Sequence, residues 1–375
     1  MKSKPSKSTL SVHAGSVGDP VFGGLTNPIY TSSAYDYSEI VRYPRYFNTP
    51  NQDAVVKKMV ALENGEDGLV FSSGMAAILT SLFALLKTGD HVIFQNDLYG
   101  GTHYAAFHEL SRFGIEFTMV DAADPKNFEM AIRKQTKVIY VETPSNPLLK
   151  ITDLAAVSTI ARKHGLVTLI DNTFASPVNQ NPIDLGIDIV LHSGTKYIGG
   201  HSDICCGAMV SSKKLTDQVR VTATLFGGSL DANTSYLVER SLKTLVLRVR
   251  KQNDNAKKLA EFLEAESKVG KVFYPGLKNH PGHTIAKKQM PGGFGGMLSF
   301  EVKSDPDKFI KKLHYIKKAI SLGGVESTIC SPFRTSHSKL TSAERKAVGI
   351  SDKLLRFSVG IEDAEDLIND IKGAL

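Results

Sequence analysis

The chain has 375 residues, 42% of them hydrophobic, which is enough for a full core, room for two domains, and the balance of an ordinary globular protein. The formal net charge is +7, but the basic residues are spread, and short runs such as Lys311-Lys312 and Lys317-Lys318 read as solvated helix faces, so nucleic acid is not an expected partner. Three cysteines, Cys205, Cys206 and Cys330, make no disulfide framework and have no metal-ligand spacing with histidine. No metal is therefore expected, a reducing cytoplasmic setting is, and neither a signal core after Pro5 nor a membrane-length apolar run is present, Ser81 to Leu86 being far too short.

Residues 1–50 are rich in Gly, Pro, Ser and Tyr without helical periodicity, which predicts an extended arm. The arm holds Thr9-Leu10-Ser11-Val12-His13-Ala14-Gly15 and Pro28-Ile29-Tyr30-Thr31-Ser32-Ser33, and closes on Tyr43-Pro44-Arg45-Tyr46. The Arg45 guanidinium suits paired hydrogen bonds to a phosphate, though taken alone it reads more readily as a solvated residue of a surface arm. Residues 52–64 predict an amphipathic helix with Val55, Val56, Met59, Val60 and Leu62 on its apolar face. The predicted strand Gly68 to Phe71 runs into Ser72-Ser73-Gly74-Met75, a strand-to-helix junction whose free amides make a ready anion site.

Further predicted strands are His91 to Gln95, followed by Tyr99-Gly100-Gly101, and Lys137 to Val141, followed by Glu142-Thr143-Pro144-Ser145-Asn146-Pro147. Helical patterns cover 103–113, 125–134 and 153–165. Strands alternating with helices predict an α/β fold with a mostly parallel sheet covered on both faces, and ligands then gather at the carboxyl ends of the strands. The run from Leu166 ends in Asp171, and the run Ile187 to Leu191 ends in Ser193-Gly194-Thr195-Lys196, with Gly199-Gly200 after it. Ser73, Tyr99, Asn146, Asp171 and Lys196 thus all stand at predicted strand ends.

A lysine delivered to a pocket by a buried strand is desolvated, which lowers its pKa and makes it a nucleophile or Schiff-base partner. Ser193 and Thr195 can bind a phosphate beside it. Ser193-x-x-Lys196 also has the form of a penicillin-binding serine motif, but the companions that motif needs are missing at Ser202-Asp203-Ile204 and Lys243-Thr244-Leu245. An apolar strand ending in Asp171, one strand before Lys196, suits pyridoxal phosphate: the lysine holds the aldehyde and the carboxylate keeps the pyridine nitrogen protonated. No Gly-x-Gly-x-x-Gly follows a strand, which disfavours a nicotinamide cofactor. From 226 to 260 the pattern predicts a long linking helix running from Leu237 to Leu263, and the remainder carries Ser321-Leu322-Gly323-Gly324 and a strand with Arg356, a residue suited to grip a carboxylate.

In these windows, from about residue 8 to 374, the chain resembles the Cys/Met-metabolism branch of fold-type I pyridoxal-phosphate enzymes. The resemblance implies an arm at 1–50 that contacts a neighbouring subunit, a cofactor-binding large domain at 51–245 and a smaller α/β domain at 246–375. It implies that Lys196 carries the cofactor and moves protons, that Asp171 pairs with the ring nitrogen, and that Tyr99 stacks on the ring and assists at the leaving group. Ser73, Gly74, Met75, Ser193 and Thr195 would surround the phosphate, and Asn146 would meet the phenolic oxygen and the substrate. Tyr43 and Arg45 would reach into a neighbouring subunit, where both bind the cofactor phosphate and Tyr43 also deprotonates the incoming amine. Arg356 and Ser321 would hold the substrate α-carboxylate. A homotetramer is implied, acting on a small amino acid.

Departures narrow the reaction. Family members with cystathionine γ-synthase or γ-lyase activity commonly have Glu before Ser-Leu-Gly-Gly, where this chain has Ile320. They often carry Arg at the position of Tyr104 and Asp at that of Arg42. Methionine γ-lyases typically have Cys where Gly101 stands. Other departures are Phe47-Asn48-Thr49-Pro50 after the Tyr-x-Arg pair, and Ser241 for a glycine of the linking helix. An apolar wall cannot pair with a buried ammonium group, so a carbon–sulfur lyase of cystathionine β-lyase type is expected, with γ-synthase, γ-lyase and methionine γ-lyase as alternatives.

Overall fold

Seven strands between residues 67 and 211 form one sheet: β1 (Asp67–Phe71), β2 (His91–Gln95), β3 (Glu116–Val120), β4 (Thr136–Glu142), β5 (Val167–Asp171), β6 (Ile189–Ser193) and β7 (Gly207–Ser211), in the order β1-β7-β6-β5-β4-β2-β3. The structure is a computed structural model and describes residues 5–335 and 349–375, so residues 1–4 of the expected arm lie outside it. Only β7 runs against its neighbours; the rest share one direction, as the alternation of strands and helices predicts.

The period-2 alternation of side chains assigns each strand residue to a layer. Val92, Phe94, Val138, Tyr140, Leu169, Ile189 and Leu191 pack with Ala77, Ile78 and Leu82 of the helix Gly74–Leu85 and Val219 and Ala223 of the helix Lys213–Phe226. Their neighbours Ile93, Ile139, Val141, Ile170 and Val190 face the other way, onto Leu154, Val157 and Ala161 of the helix Leu154–Lys163. With apolar residues buried on both faces, each worth roughly 1.5–3 kcal/mol, the strands read as nearly unbroken hydrophobic runs. Their polar ends are then the only places for chemistry.

Five strands make a second sheet: β8 (Val269–Phe273), β9 (Met297–Val302), β10 (Lys317–Lys318), β11 (Thr328–Cys330) and β12 (Leu354–Ser358), ordered β10-β11-β12-β9-β8 and antiparallel except at β10–β11. Its core joins Leu298, Phe300 and Phe357 to Leu259 and Leu263 of the helix Leu245–Ala265 and to Leu367 and Ile371 near the C-terminus. The first turns of that same helix, Leu245, Val246 and Val249, belong to a cluster with Tyr197, Ile198 and Val210 of the first sheet's surroundings.

Several elements differ from expectation. The linking helix is two helices, Ala232–Leu242 and Leu245–Ala265, broken at Lys243-Thr244. The reason is the buried Arg248, whose Nη2 donates to the Ser241 carbonyl at 2.9 Å while Nη1 donates to the Tyr197 carbonyl at 2.7 Å. The Ser241 carbonyl is thereby used outside the helix ladder, and the loop after Lys196 is tied to the break. The helix expected at 52–64 begins at Pro50, since Gln52 Oε1 accepts from the Thr49 amide at 3.0 Å in a capping box. The pattern at 103–113 is a helix that passes into a wider and then a tighter turn, and that at 125–134 is ordered as helix only over Lys126–Met130. The arm contains the short helix Lys7–His13, anchored by Lys58 Nζ, which donates to the Ser11 carbonyl at 3.0 Å.

Candidate active site

The carboxyl ends of β1, β2, β4, β5 and β6 lie along one edge of the first sheet and open on a cavity of about 640 Å³. Ser73, Gly74, Met75, Tyr99, Asn146, Asp171, Ser193, Thr195, Lys196, Ser321 and Arg356, separated by up to 283 positions in the chain, all line it. A second cavity of about 650 Å³, against Lys257, Glu261, His283 and Phe294, shares none of these residues.

At one end of the cavity the helix Gly74–Leu85 begins. Ser73 Oγ accepts from the Ala76 amide at 3.1 Å, so this hydroxyl caps the helix, while Gly74 and Met75 contribute first-turn N–H groups that have no carbonyl within the helix. A methyl group on Gly74 would fall 2.8 Å from Ser193 Cβ. Glycine therefore brings the helix start against the end of β6, where Ser193 and Thr195 lie. Thr195 Oγ1 accepts from the Cys206 amide at 3.1 Å, and the Ser193 amide donates to Thr173 Oγ1 at 2.8 Å, which fixes both residues.

On the sheet side, the Tyr99 amide donates to Glu142 Oε2 at 2.7 Å. A methyl on Gly101 would lie 2.6 Å from the Tyr99 ring, so glycine is what leaves that ring its place. Glu142 and Asp171 are register partners on β4 and β5, both buried. Burial, reinforced by the neighbouring Asp171 charge, pushes the Glu142 carboxyl well above the usual range. Burial also raises Asp171, against the opposing hydrogen bonds from Thr173 and the positive charge of Lys196. Behind them, His192 Nε2 meets Glu63 Oε1 at 2.6 Å in a fully buried pair.

Lys196 Nζ donates to Ser321 Oγ at 2.7 Å. Burial lowers its pKa, and the nearby Arg356 charge lowers it further, both acting against the ammonium form. Arg356 is buried and held on two sides: Nη1 donates to Asn146 Oδ1 at 3.1 Å and Nη2 to the Ser321 carbonyl at 3.0 Å.

Tyr43 and Arg45 are not among the residues lining this cavity. Arg45 Nη1 donates to the Thr224 carbonyl at 2.6 Å, and its guanidinium stands 5.6 Å from the ring centre of Tyr43. The cavity also brings in residues without an assigned role from the sequence: Glu142, Thr173, Cys205, Arg334 and Thr335. Glu142 carries the same signal as Asp171, an acid at the end of an apolar strand. Arg334 comes after the three-residue strand β11 and a short turn, and no apolar run before it gives such a signal.

The donor set fits pyridoxal phosphate. It combines a glycine cradle with first-turn amides and two hydroxyl residues for a phosphate, a lysine of lowered pKa for the aldehyde, and a buried acid, Asp171, that a protonated ring nitrogen would stabilise as the carboxylate. Among the described residues no group of His, Cys, Asp and Glu is placed to hold a metal ion, and no helix is long and apolar enough to cross a membrane.

Comparison with known proteins agrees with this chemistry. Residues 8–375 match the family described as Cys/Met metabolism PLP-dependent enzyme. A cystathionine gamma-lyase of Bacillus subtilis is 46% identical over 98% of this chain and 99% of its own, and a cystathionine beta-lyase of Lactococcus lactis is 44% identical over 98% of each. The crystal structure of cystathionine gamma-lyase from Lactobacillus plantarum complexed with L-serine superposes with a TM-score of 0.94 at 40% identity, covering 99% of this chain and 98% of that one. The two-sheet architecture is accordingly that of fold-type I enzymes, and this chain belongs to the Cys/Met metabolism PLP-dependent enzymes, a trans-sulfuration family of lyases and transferases acting on small amino acids.

Proposed function

We propose that this enzyme is a carbon–sulfur lyase that cleaves L-cystathionine by α,β-elimination. The observation that carries the reading is Ile320, an apolar residue on the cavity wall beside Ser321, at the position where the resemblance implies a Glu in cystathionine γ-synthases and γ-lyases. The two carboxylates among the described lining residues, Glu142 and Asp171, are both at the sheet side. Among the described lining residues, no acid of the outer wall is placed to hold a distal ammonium group for γ-chemistry.

Bound pyridoxal phosphate supplies an electron sink for the pair left when the Cα proton departs. Lys196 would hold its aldehyde, Asp171 its ring nitrogen, Tyr99 its face and Asn146 its phenolic oxygen. The amides of Gly74 and Met75, with Ser73, Ser193 and Thr195, surround its phosphate. Arg356, kept in place by Asn146 and the Ser321 carbonyl, takes the substrate α-carboxylate and so presents Cα to Lys196 Nζ. Lys196, a base of lowered pKa, removes the Cα proton, and Ser321 Oγ orients the amine. Tyr99 assists proton transfer to the departing sulfur.

Tyr43 and Arg45 act in the cavity of a second copy, Tyr43 on the substrate amine and Arg45 on the phosphate. The arm around them leaves Phe22 89% and Leu25 91% exposed, which supports a partner chain there. The assembly is a tetramer in the cytoplasm, each chain divided into an arm at 1–50, a large domain at 51–245 and a small domain at 246–375. γ-Elimination is the second reading, favoured by the Bacillus subtilis relative named as a gamma-lyase. Product analysis with L-cystathionine tests the choice. Homocysteine and pyruvate are expected; cysteine and 2-oxobutyrate would replace the β-lyase reading with the second.

A further inference from the structure

We propose that Arg334 is a specificity-determining residue that reads a carboxylate at the far end of the substrate's leaving group; this rests on the lyase reading above. Arg334 ends the short turn Pro332–Arg334, four residues after Cys330, and Cys330 is the register partner of Arg356 in the second sheet. The two arginines therefore reach the cavity from one side, and both line it. Arg356 is buried and held in place by Asn146 and the Ser321 carbonyl, with N–H donors left for the α-carboxylate. Arg334 is exposed, with its side chain at 58% of full accessibility, and its Nη2 is paired with Asp307.

Ile320 and Leu322 line the same cavity and offer apolar surface for a methylene chain, and among the described lining residues of this wall there is no carboxylate for an ammonium group. A substrate whose α-carboxylate lies on Arg356 and whose thioether tail crosses Ile320 ends at a guanidinium with further N–H donors on its fork. The matching class is α-amino acids with a thioether tail that terminates in a carboxylate. A neutral alkyl tail of the same length leaves the cation without its counter-ion, and a difference of this kind is what specificity consists of.

The test compares three substrates of the pyridoxal-phosphate-loaded enzyme: L-cystathionine, S-(2-carboxyethyl)-L-cysteine and S-propyl-L-cysteine. Arg334→Met is expected to raise KM for the two acidic tails relative to the propyl compound by about fivefold, the scale of an exposed ion pair. Arg334→Lys is expected to recover part of the difference. Asp307→Asn leaves the guanidinium and is expected to keep the preference for acidic tails. Equal KM changes for all three substrates in Arg334→Met, or loss of the preference in Asp307→Asn, would show a structural role and overturn the proposal. If none of the three is turned over, the lyase reading fails separately. Calorimetric Kd values for the same compounds with the loaded enzyme, none of them then being consumed, still decide the matter: the acidic-tail preference must appear there and shrink in Arg334→Met.

Discussion

The two walls of the active cavity are built differently. The sheet wall is made of strand ends, and its groups are tied to neighbours: Thr195 to Cys206, the Tyr99 amide to Glu142, and Asp171 to Thr173. The outer wall comes from residues 320–335 and β12, where Ile320 is 71% exposed and Arg334 is exposed. Ser321 joins them in a left-handed conformation, φ 75°, that non-glycine residues rarely adopt. Its hydroxyl receives the lysine's hydrogen bond and its carbonyl receives Arg356's, so the surroundings hold the unfavourable backbone where both walls need it. Chemistry resides on the wall that packing makes rigid, and choice of substrate on the wall that sequence change can alter at little cost to the core.

Substitutions on the two walls must therefore differ in kind. Lys196→Ala, which removes both the cofactor's attachment and the base, is expected to lower kcat by about 10⁴-fold, the upper range for a general base, with loss of the visible absorbance of attached pyridoxal phosphate. Retention of that absorbance and of turnover would break the assignment. Asp171→Asn removes the buried charge at nearly constant shape and is expected to lower kcat by about 10²- to 10³-fold, comparable to losing one preorganised electrostatic contact. Across the cavity, Arg356→Leu is expected to raise KM by about 10- to 100-fold through lost charge-assisted hydrogen bonds. A larger fall in kcat than that of Asp171→Asn would erase the division between walls.

The smallest effect concerns stability where the regions meet. His280 is buried, accepts the Gly282 amide at Nδ1 at 3.1 Å, and has its pKa lowered from 6.5 to about 4 by burial, with the nearby His283 lowering it further. Between these values the unfolded chain takes up a proton that the folded chain refuses, so stability falls as pH drops from 6.5 towards 4 and levels below. His280→Gln is expected to flatten that part of the profile in urea unfolding. An unchanged slope would place the acid sensitivity in other groups.

Much of the site is legible in the sequence because a buried parallel strand leaves little choice: an apolar run that stops at Asp171, or at Ser193-Gly194-Thr195-Lys196, delivers those groups to one edge of the sheet. Glu142 carries the same mark and needed only the same rule. Local patterning likewise determines the alternation of Val92 and Phe94 against Ile93, and with it the covering of both faces. Tertiary structure alone decides the rest. β7 is reversed by its pairing with β1 and β6, and Arg248 joins the break in the linking helix, at the Ser241 carbonyl, to the carbonyl of Tyr197, 51 residues away. Arg334 reaches the cavity because β11 lies beside β12, a contact between segments 24 or more residues apart that no local periodicity records.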